Sequence, residues 1–337
     1  MTKTLYIGID VSKSKLDTST TINPKHILAF STFENNPTSF KKLYNWVNEQ
    51  KKKFRLVKMH FCIESTGIYS EEIAEYLQEQ KNTIVSVVNP AQTKAFACSI
   101  LLRTKNDKVD SKMLAFYCCI NNPKEMVKPS EELIKLKKLA RYESFLIDYC
   151  ACLKTKLSSE KDLLIRGSII SLISCLNNQI NDIERLIMEH INNFKDLKKS
   201  FDLLNSIKNI GAKTAYRILT EIIPEEELTV KAQIAHAGLA PSQKLSGTSI
   251  HGKPKISKIG NSRLRKYLYM PTVGAIVNNP LIREFYERLI SKGKCEMLAL
   301  TACMRKLLAI AIGVLRNKQP FDLNWAMKKQ LEYANVA

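Results

Sequence analysis

Two short apolar segments in the first third of the chain constrain its fold more than any other feature. They read VKMHFCIES and TIVSVVNP, and the helix-patterned segment SEEIAEYLQEQ separates them. Short, nearly uninterrupted apolar strands joined through a helix are typical of parallel strands that are covered on both faces. The pattern therefore predicts an α/β domain.

Three more strands are predicted on the N-terminal side of this unit. LYIGIDVS is an apolar, β-branched run that ends in a polar turn, KLDTSTT can pair with it, and ILAFSTFEN can be a third strand. An amphipathic stretch from Phe40 to Val47 follows. The domain should therefore contain a mixed sheet.

The net charge of the chain limits its partners. The sequence has 52 Lys and Arg against 32 Asp and Glu, a net charge of +20. Such an excess favours a polyanionic partner, with nucleic acid as the first candidate. An anionic membrane is the alternative, but we identify no apolar run of transmembrane length, no signal peptide and no basic amphipathic tail. We therefore expect a soluble, cytoplasmic protein.

The cysteines indicate a reducing compartment. There are nine, an odd number, and none forms a C-x-x-C pair. Several lie in apolar helical stretches, as small buried residues do; these are Cys98, Cys118, Cys119 and Cys303. The five histidines lack the spacing of metal ligands, so a zinc site is not expected.

The uneven charge distribution divides the chain into three modules. The first 130 residues carry +7, the next 98 are neutral, and the last 109 carry +13. We predict an α/β domain over residues 1–128, a helical or coiled-coil assembly segment over 129–200, and a mostly α-helical C-terminal domain over 201–337.

The middle segment has the rhythm of long helices. Ser130 is a good N-cap, and apolar residues then recur at steps of three and four. Two antiparallel helices within one chain and an intermolecular coiled coil both explain the pattern. Because the segment is neutral, we interpret it as a spacer or assembly element. The recurring positions are Leu139, Tyr142, Leu146, Tyr149 and Leu153, then Leu176, Ile180, Ile183, Ile187, His190, Phe194 and Leu197.

The last module has two features of a nucleic-acid surface. LLNSIKNIGAKTAYRILTEI resembles a helix-hairpin-helix, whose turn amides suit a phosphate, although a plain αα-hairpin explains it nearly as well. Residues 228–283 contain no acid and nine basic residues, as close contact with phosphates favours. The predicted nucleic-acid contacts are Lys244, Lys253, Lys255, Lys258, Arg263, Arg265 and Lys266, with Arg103 and Lys105 in the first module.

Two predicted strands of the first module end in acids. Asp10 closes LYIGID, where a turn residue is the simplest interpretation and a phosphate loop of actin-like ATPases is a second one. The ATPase interpretation needs further glycine-rich loops, which we do not find. Glu64 closes HFCIE, and a carboxylate there is unusual because its burial is costly unless the charge is matched. Two strands that end in acids suggest a metal site.

A second pair of acids lies in RTKNDKVDSKMLA. If residues 107–119 are helical, Asp107 and Asp110 share a face with Leu114 and Tyr117, while the neighbouring lysines point elsewhere. Two carboxylates on a half-buried face repel each other, and a divalent cation relieves the repulsion. In an RNase H-like domain, all four acids could converge at one sheet edge and hold two Mg²⁺ ions for phosphoryl transfer.

At this point the chain resembles a known family. The matching segments are YIGIDVSKSKLD, CIESTGIY, VSVVNPAQTKAFA, RTKNDKVDSKMLA, AHAGLAPSQKLSG, SKIGNSRLRKYLYMP and MRKLLAIAIGVL. In this order they resemble the insertion-sequence transposases that join an N-terminal RuvC-like DEDD domain to a C-terminal transposase domain carrying a serine, now described as bridge-RNA-guided recombinases. The chain departs from the family pattern in SIKNIG, where a Pro-Gly is usual.

The resemblance implies specific roles for five residues. Family members bind Mg²⁺ through four acids, which fall here on Asp10, Glu64, Asp107 and Asp110, and use a serine, here Ser246, as a nucleophile on DNA. It also implies DNA and a structured guide RNA as partners, and a homo-oligomer in which acids and serine meet across subunits.

Two other functions remain open from the sequence. A Holliday-junction-type endonuclease would use the same four acids with water as the nucleophile. A non-enzymatic nucleic-acid-binding scaffold would need only the basic module and the helices.

Overall fold

The structure is a computed structural model that describes residues 4–65, 67–101, 106–222, 228–242, 245–246, 250–251 and 255–323. The chain forms two compact units, Met1–Lys128 and Pro129–Ala337. They are described separately as unit 1 and unit 2. The predicted division of the second unit at residue 200 stays a prediction.

Unit 1 alternates strands and helices as expected. The order is β1 (Thr4–Val11), β2 (Lys15–Thr21), β3 (Ala29–Glu34), α1 (Pro37–Lys53), β4 (Lys58–Glu64), α2 (Ile68–Gln78), β5 (Thr83–Val88), α3 (Pro90–Ser99) and α4 (Asp107–Asn121).

Its five strands form one mixed sheet in the order β3-β2-β1-β4-β5. The first three strands are antiparallel neighbours, whereas β4 is parallel to both β1 and β5. This arrangement is that of an RNase H-like, RuvC-like domain. The predicted mixed sheet is confirmed, including the pairing of KLDTSTT with the first strand.

The two faces of the sheet have different coverings. One face packs Leu5, Ile7 and Ile9 of β1 against α1 and α2 in a large apolar core. The opposite face carries Gly8 and Asp10 and is covered by α4, whose Leu114 and neighbouring residues form a smaller core with it. The strand alternation therefore directs Asp10 toward α4.

Gly8 lets α4 cross the sheet at close range. A Cβ atom at this position would overlap the carbonyl oxygen of Ser111 and the amide nitrogen of Ala115. The hydroxyl of Ser19 on β2 is also 2.8 Å from that of Ser111. Both features fix the distance from the first turn of α4 to the strands beneath it.

Unit 2 is mostly helical, as predicted. It contains α5 (Glu131–Ser159), α6 (Leu163–Asn193), α7 (Lys195–Asn205), α8 (Ala212–Glu221), α9 (Val230–His236), β6 (Pro241–Ser242), β7 (Leu245–Ser246), β8 (Ile250–His251), β9 (Lys255–Ile256), α10 (Ser262–Asn278), α11 (Pro280–Ser291) and α12 (Glu296–Asn317).

The two long helices pack against each other within the chain. Leu146 and Cys150 of α5 meet Ile180 of α6 in a small core, and the other end of the pair joins the main core of unit 2. A three-residue turn connects the two helices, so they run antiparallel. The intrachain pairing that the sequence left open is therefore present.

One part of the predicted seam was wrong. Leu146 and Leu153 are buried, but Tyr142 and Tyr149 are each 46% exposed. Heptad spacing places these positions near one another on the helix, whereas the contacting face of α5 is centred on residues such as Leu136, Glu143 and Cys150. The two tyrosines instead lie with Phe145 on the outer face.

The sequence-based expectation that no segment reaches transmembrane length was also wrong. Among the described residues, α6 and α12 are long and apolar enough to cross a membrane by length and composition. Half of the apolar 18-residue stretch of α12 is buried inside the protein, whereas only 6% of the corresponding stretch of α6 is buried.

The predicted hairpin is formed by α7 and α8. Asn209 takes a left-handed conformation in the turn, with a φ of 76°, and Gly211 precedes the first turn of α8 with a φ of −78°. Ile207 and Ile210 of the connection are buried in the main core of unit 2.

Candidate active site

Asp10 and Glu64 lie at the ends of two adjacent parallel strands. The register pairs Ile9 of β1 with Ile63 of β4, so each acid follows one position later. Both side chains lie on the face that α4 covers, because Gly8 and Cys62 two residues earlier face α4. Strand geometry alone therefore brings these two acids to one edge.

Asp107 and Asp110 occupy the first turn of α4. Asn106 caps the helix, since its side chain accepts a hydrogen bond of 2.8 Å from the amide of Val109. Negative charge is favourable at this end of a helix. The lysines near the acids turn away, as the helical periodicity predicted: the ammonium of Lys108 lies over the ring of Phe30 and that of Lys112 over Phe116.

A fifth carboxylate, which sequence reasoning missed, belongs to Asp17. It is the cross-strand partner of Asp10 in the β1–β2 pair and is only 7% exposed. Its Oδ1 accepts a hydrogen bond of 2.6 Å from the Thr32 hydroxyl on β3. Directly opposed residues on antiparallel strands share a face. The signal in the sequence was the short turn VSKS, which sets Asp17 opposite Asp10 once the two strands pair.

The electrostatics of Asp10 reflect the gathering of these acids. Burial, followed by the negative charges of the other four carboxylates, raises the pKa of Asp10 from its ordinary value of 3.8 to about 6. Those carboxylates belong to Asp110, Asp107, Glu64 and Asp17. The four predicted acids are therefore close enough to interact.

Glu64 is held from a different side. The Thr93 hydroxyl of α3 donates a hydrogen bond of 3.2 Å to Glu64 Oε2, and it also donates one of 3.0 Å to the carbonyl of Pro90. The Thr93 hydroxyl is uncharged, so this contact orients the Glu64 carboxylate without forming an ion pair.

The carboxylates have the donor chemistry of a divalent-metal site but are not drawn together around one point. Across the described ranges, no group of three or more His, Cys, Asp or Glu side chains is arranged so that it could hold a metal ion. Hard carboxylate oxygens under mutual repulsion are nevertheless the ligands that Mg²⁺ takes. Side-chain rotation toward Asp10 would be needed to complete such a site.

The serine predicted by resemblance lies in a small hairpin of unit 2. Ser246 ends β7, and its backbone pairs with Ile250 of β8. Its side chain lies outside what the structure describes.

Of the nine predicted nucleic-acid contacts, five lie on described residues. Lys255 is exposed on β9, and Lys258 has a left-handed backbone with a φ of 56°. The other three have partners within unit 2: Arg263 pairs with Glu221 at 3.1 Å, Lys266 with Asp148 at 2.6 Å, and Arg265 donates to the carbonyl of Ala237 at 2.9 Å. Outside the described residues lie Arg103, Lys105, Lys244 and Lys253.

A buried ion pair connects α5 to α8. Glu143 is fully buried and accepts hydrogen bonds from Arg217, at 2.6 and 3.1 Å, and from the Tyr216 hydroxyl at 2.7 Å. The guanidinium also lies 5.4 Å from the centre of the Tyr267 ring. Each polar group of this cluster is satisfied by another, so we interpret it as a structural element.

Comparisons with known proteins cover nearly the whole chain. A family profile for DEDD transposases of the IS110 type, described as "Transposase", matches residues 7–160, and one described as "Transposase IS116/IS110/IS902 family" matches residues 201–287. The "Pilin gene-inverting protein" of Moraxella bovis is 32% identical over 324 residues, which are 96% of this chain and 98% of that protein.

Two further similarities are shorter. The "Insertion element IS110 uncharacterized 43.6 kDa protein" of Streptomyces coelicolor is 28% identical over 148 residues, 44% of this chain and 36% of that protein. Among solved structures, Thermus thermophilus RuvC matches 36% of this chain and 99% of its own, with 14% identity and a TM-score of 0.28.

Proposed function

This chain belongs to the IS110 family of transposases, and we propose that it cuts and exchanges DNA strands by a Mg²⁺-dependent reaction in which Ser246 is the nucleophile. Its relatives support a DNA recombinase enzyme, which agrees with the net charge of +20. The observation that carries the proposal is the set of acids from β1, β4 and α4 at one sheet edge, with the pKa of Asp10 raised to about 6.

The acids of unit 1 suit Mg²⁺ by their chemistry. A bound ion would neutralise the repulsion that raises the pKa of Asp10, and it would be held by carboxylate oxygens from Asp10, Glu64, Asp107 and Asp110. When bound, divalent ions stabilise negative charge on the attacking and leaving oxygens of a phosphoryl transfer. The chain's own contribution is to keep these acids at a fixed distance, through Gly8 and the pair formed by Ser19 and Ser111.

Ser246 is assigned as the nucleophile by resemblance. Its Oγ would attack the phosphorus of a DNA phosphodiester, so that a serine O–P bond forms and one P–O ester bond breaks. The serine hydroxyl loses its proton to a base as its oxygen bonds to phosphorus, and the departing DNA oxygen takes up a proton. Attack by a second DNA hydroxyl would then reverse the link and release the serine.

DNA is the first partner, and a structured guide RNA and further copies of the chain complete the proposal. The relative from Moraxella is named for gene inversion, a strand exchange between two sites, which is consistent with more than one active centre acting together. We assign self-association to the start of α6, because Leu163 and Leu164 are more than 80% exposed there. We expect the protein to act in the cytoplasm.

The proposal is tested by one reaction. The protein is incubated with Mg²⁺, DNA carrying the element ends, target DNA and the noncoding RNA encoded beside the gene, and wild type is compared with Ser246→Ala and Asp107→Ala. We expect a covalent protein–DNA adduct and recombinant DNA with wild type only. Lys292→Ala, an exposed basic residue of unit 2, is the control and should retain both products.

A second candidate is an endonuclease of the Holliday-junction-resolving kind. It is favoured by one observation, that the four acids all belong to unit 1 and the serine does not. In that case Ser246→Ala would still cleave branched DNA in the same reaction, while Asp107→Ala would not. If the protein only bound nucleic acid, both variants would bind it as well as wild type does.

A further inference from the structure

An aromatic ridge runs along the outer face of α5. We define it by Lys138, Tyr142, Phe145, Tyr149 and Lys156, which follow one another at steps of four, three, four and seven residues and so share one side of the helix. Tyr142 and Tyr149 are each 46% exposed and Phe145 is 61% exposed. Large aromatic side chains on a surface of this kind usually mark a contact site.

The three rings are parallel to one another. Tyr142 and Phe145 have ring centres 6.5 Å apart with an interplanar angle of 18°, and Phe145 and Tyr149 have ring centres 6.3 Å apart with an angle of 3°. The three exposed rings therefore offer separate, similarly oriented faces on which flat groups can stack.

The ends of the ridge are basic. Lys138 lies one turn before the first ring and Lys156 two turns after the last, and both are exposed. Asp148 lies at the edge of the ridge, but Lys266 neutralises it at 2.6 Å. Aromatic faces between cations are the combination that holds unpaired bases and their phosphates together.

Charge disfavours a second copy of the chain as the occupant. If two ridges paired in parallel, Lys138 would face Lys138, and if they paired antiparallel, Lys138 would face Lys156. Either arrangement brings cations together, and the chain already carries +20. A polyanion removes the same repulsion. The exposed aliphatic residues at the start of α6 are the surface that we assign to self-association.

We propose that the aromatic ridge binds single-stranded nucleic acid, with bases stacked on Tyr142, Phe145 and Tyr149 and flanking phosphates on Lys138 and Lys156. The inference rests on the proposed function, because it names the surface that holds an unpaired segment of guide RNA or of melted DNA. It assigns a nucleic-acid role to a helix whose neutral charge had suggested assembly alone.

The test compares replacement of the rings by leucine with their conservative replacement. Full-length Tyr142→Leu/Phe145→Leu/Tyr149→Leu keeps an apolar helix face and removes stacking, while Tyr142→Phe/Tyr149→Phe keeps all three rings. Affinity is measured by fluorescence anisotropy for a short single-stranded RNA, a single-stranded DNA of the same sequence and the corresponding duplex. Since stacking on each ring is worth at least about fivefold in affinity, the leucine variant should lose ~100-fold or more for single strands, and the phenylalanine variant less than about threefold.

The lysines give an independent measurement. Each phosphate contact on a single strand contributes ~0.7 to the slope of log affinity against log salt, so Lys138→Gln/Lys156→Gln should lower that slope by about 1.4. The leucine variant should leave the slope unchanged. The RNA and DNA arms show which strand the ridge prefers, and duplex binding should change little in either variant.

Four outcomes would overturn the inference. The leucine variant could bind single strands like wild type, or it could bind single strands and duplex equally less well. It could also change oligomeric state in sedimentation, which would make the ridge a contact between copies. A wild-type protein that binds neither RNA nor single-stranded DNA would also overturn the inference and would count against RNA guidance, while the proposed strand exchange through Ser246 would still be tested separately by adduct formation on duplex DNA.

Discussion

At the scale of single residues, Asp10 makes the stability of the metal-free protein depend on pH. Its pKa in the folded protein is about 6, above the ordinary value of 3.8, so the protonated form is favoured by folding. Its stabilising contribution is complete below about pH 4 and is lost as the pH rises through 6. The charge that makes Asp10 a metal ligand therefore opposes folding until a cation is bound.

Asp10→Asn should remove this dependence. We expect the variant to increase the free energy of unfolding near pH 8 by up to about 3 kcal/mol and to have little effect near pH 4. Urea unfolding in the presence of a chelator measures both values. Glu49→Gln, which removes an exposed charge from α1, is the control. An equal gain in both variants would assign the effect to net charge.

Asp17 should support metal binding without replacing any of the four acids. Asp17→Asn keeps an oxygen that accepts the hydrogen bond from Thr32 but loses the charge opposite Asp10. We expect Mg²⁺ affinity to fall by about tenfold, and by less in Thr32→Val, which keeps the charge. Isothermal titration of the two proteins distinguishes them. Equal affinities in Asp17→Asn and wild type would contradict this role.

Residue type and position predicted four of these acids, and the limits of such reasoning are visible at the fifth. Asp10 and Glu64 were found because each ends an apolar strand, and Asp107 and Asp110 because helical spacing sets them apart from the lysines. Asp17 lies inside a strand of small polar residues, where nothing in its neighbours indicates burial. Only the pairing of β2 with β1 and β3, together with the packing of α4 on β2, shows that Asp17 lies in an inner strand under a helix.

At the scale of secondary-structure elements, the crossing of α4 over β1 depends on the missing side chain of Gly8. Gly8→Ala would place a methyl group against the backbone of Ser111 and Ala115, so α4 must move outward. We expect a loss of about 1–3 kcal/mol in unfolding free energy, and a loss of Mg²⁺ binding from the displacement of Asp107 and Asp110. Calorimetry with and without Mg²⁺ measures both effects. A variant that is destabilised but is stabilised by Mg²⁺ as strongly as wild type would show that α4 does not set the site.

Removing one partner of the buried ion pair between α5 and α8 should destabilise the protein more than replacing all of its partners together. Glu143→Gln leaves the Arg217 guanidinium without its charge partner, and we expect a cost of about 3–5 kcal/mol. The triple replacement Glu143→Met/Tyr216→Phe/Arg217→Met removes all partners together, and its cost should be smaller than that of the single change. Urea unfolding of both variants provides the comparison, and a larger cost for the triple replacement would contradict it.

The helices also show what periodicity leaves undetermined. Repeats of three and four residues correctly grouped the residues of α5 that lie near one another, but they do not say which side of the group is covered. Tyr142, Leu146 and Tyr149 all fit the rhythm, and only packing against α6 shows that Leu146 is inside and the tyrosines outside. A tyrosine fits either environment, since its ring is apolar and its hydroxyl is polar.

At the scale of the whole molecule, the exposed start of α6 should control assembly. Leu163→Ser/Leu164→Ser removes two of the most exposed apolar side chains of unit 2, and we expect the oligomer to dissociate at a concentration at least about tenfold higher than for wild type. Sedimentation velocity across a concentration series gives the result, and circular dichroism should be unchanged. Val57→Ser, an equally apolar exposed position of unit 1, is the matched control and should assemble like wild type.

The net charge of the chain correctly indicated nucleic acid as the class of partner. The distribution of charge along the sequence was a poorer guide to which residues are free to contact it. The excess of basic residues agrees with a DNA recombinase. Two basic residues of the acid-free segment nevertheless form ion pairs within unit 2, Arg263 with Glu221 and Lys266 with Asp148. Both acids lie far from them in the sequence, so only the folded chain brings them together. The neutral middle segment, in contrast, carries the aromatic ridge.

A cysteine beside the aromatic ridge can be labelled selectively. Cys152 lies on the same side of α5, one turn after Tyr149, and it is one of four exposed thiols, the others being Cys98, Cys175 and Cys295. With those three changed to serine, a thiol-directed photoaffinity reagent would be attached at a single exposed position beside the rings. Sequencing of the captured fragments would then read, nucleotide by nucleotide, which strand passes over the helix during a turnover.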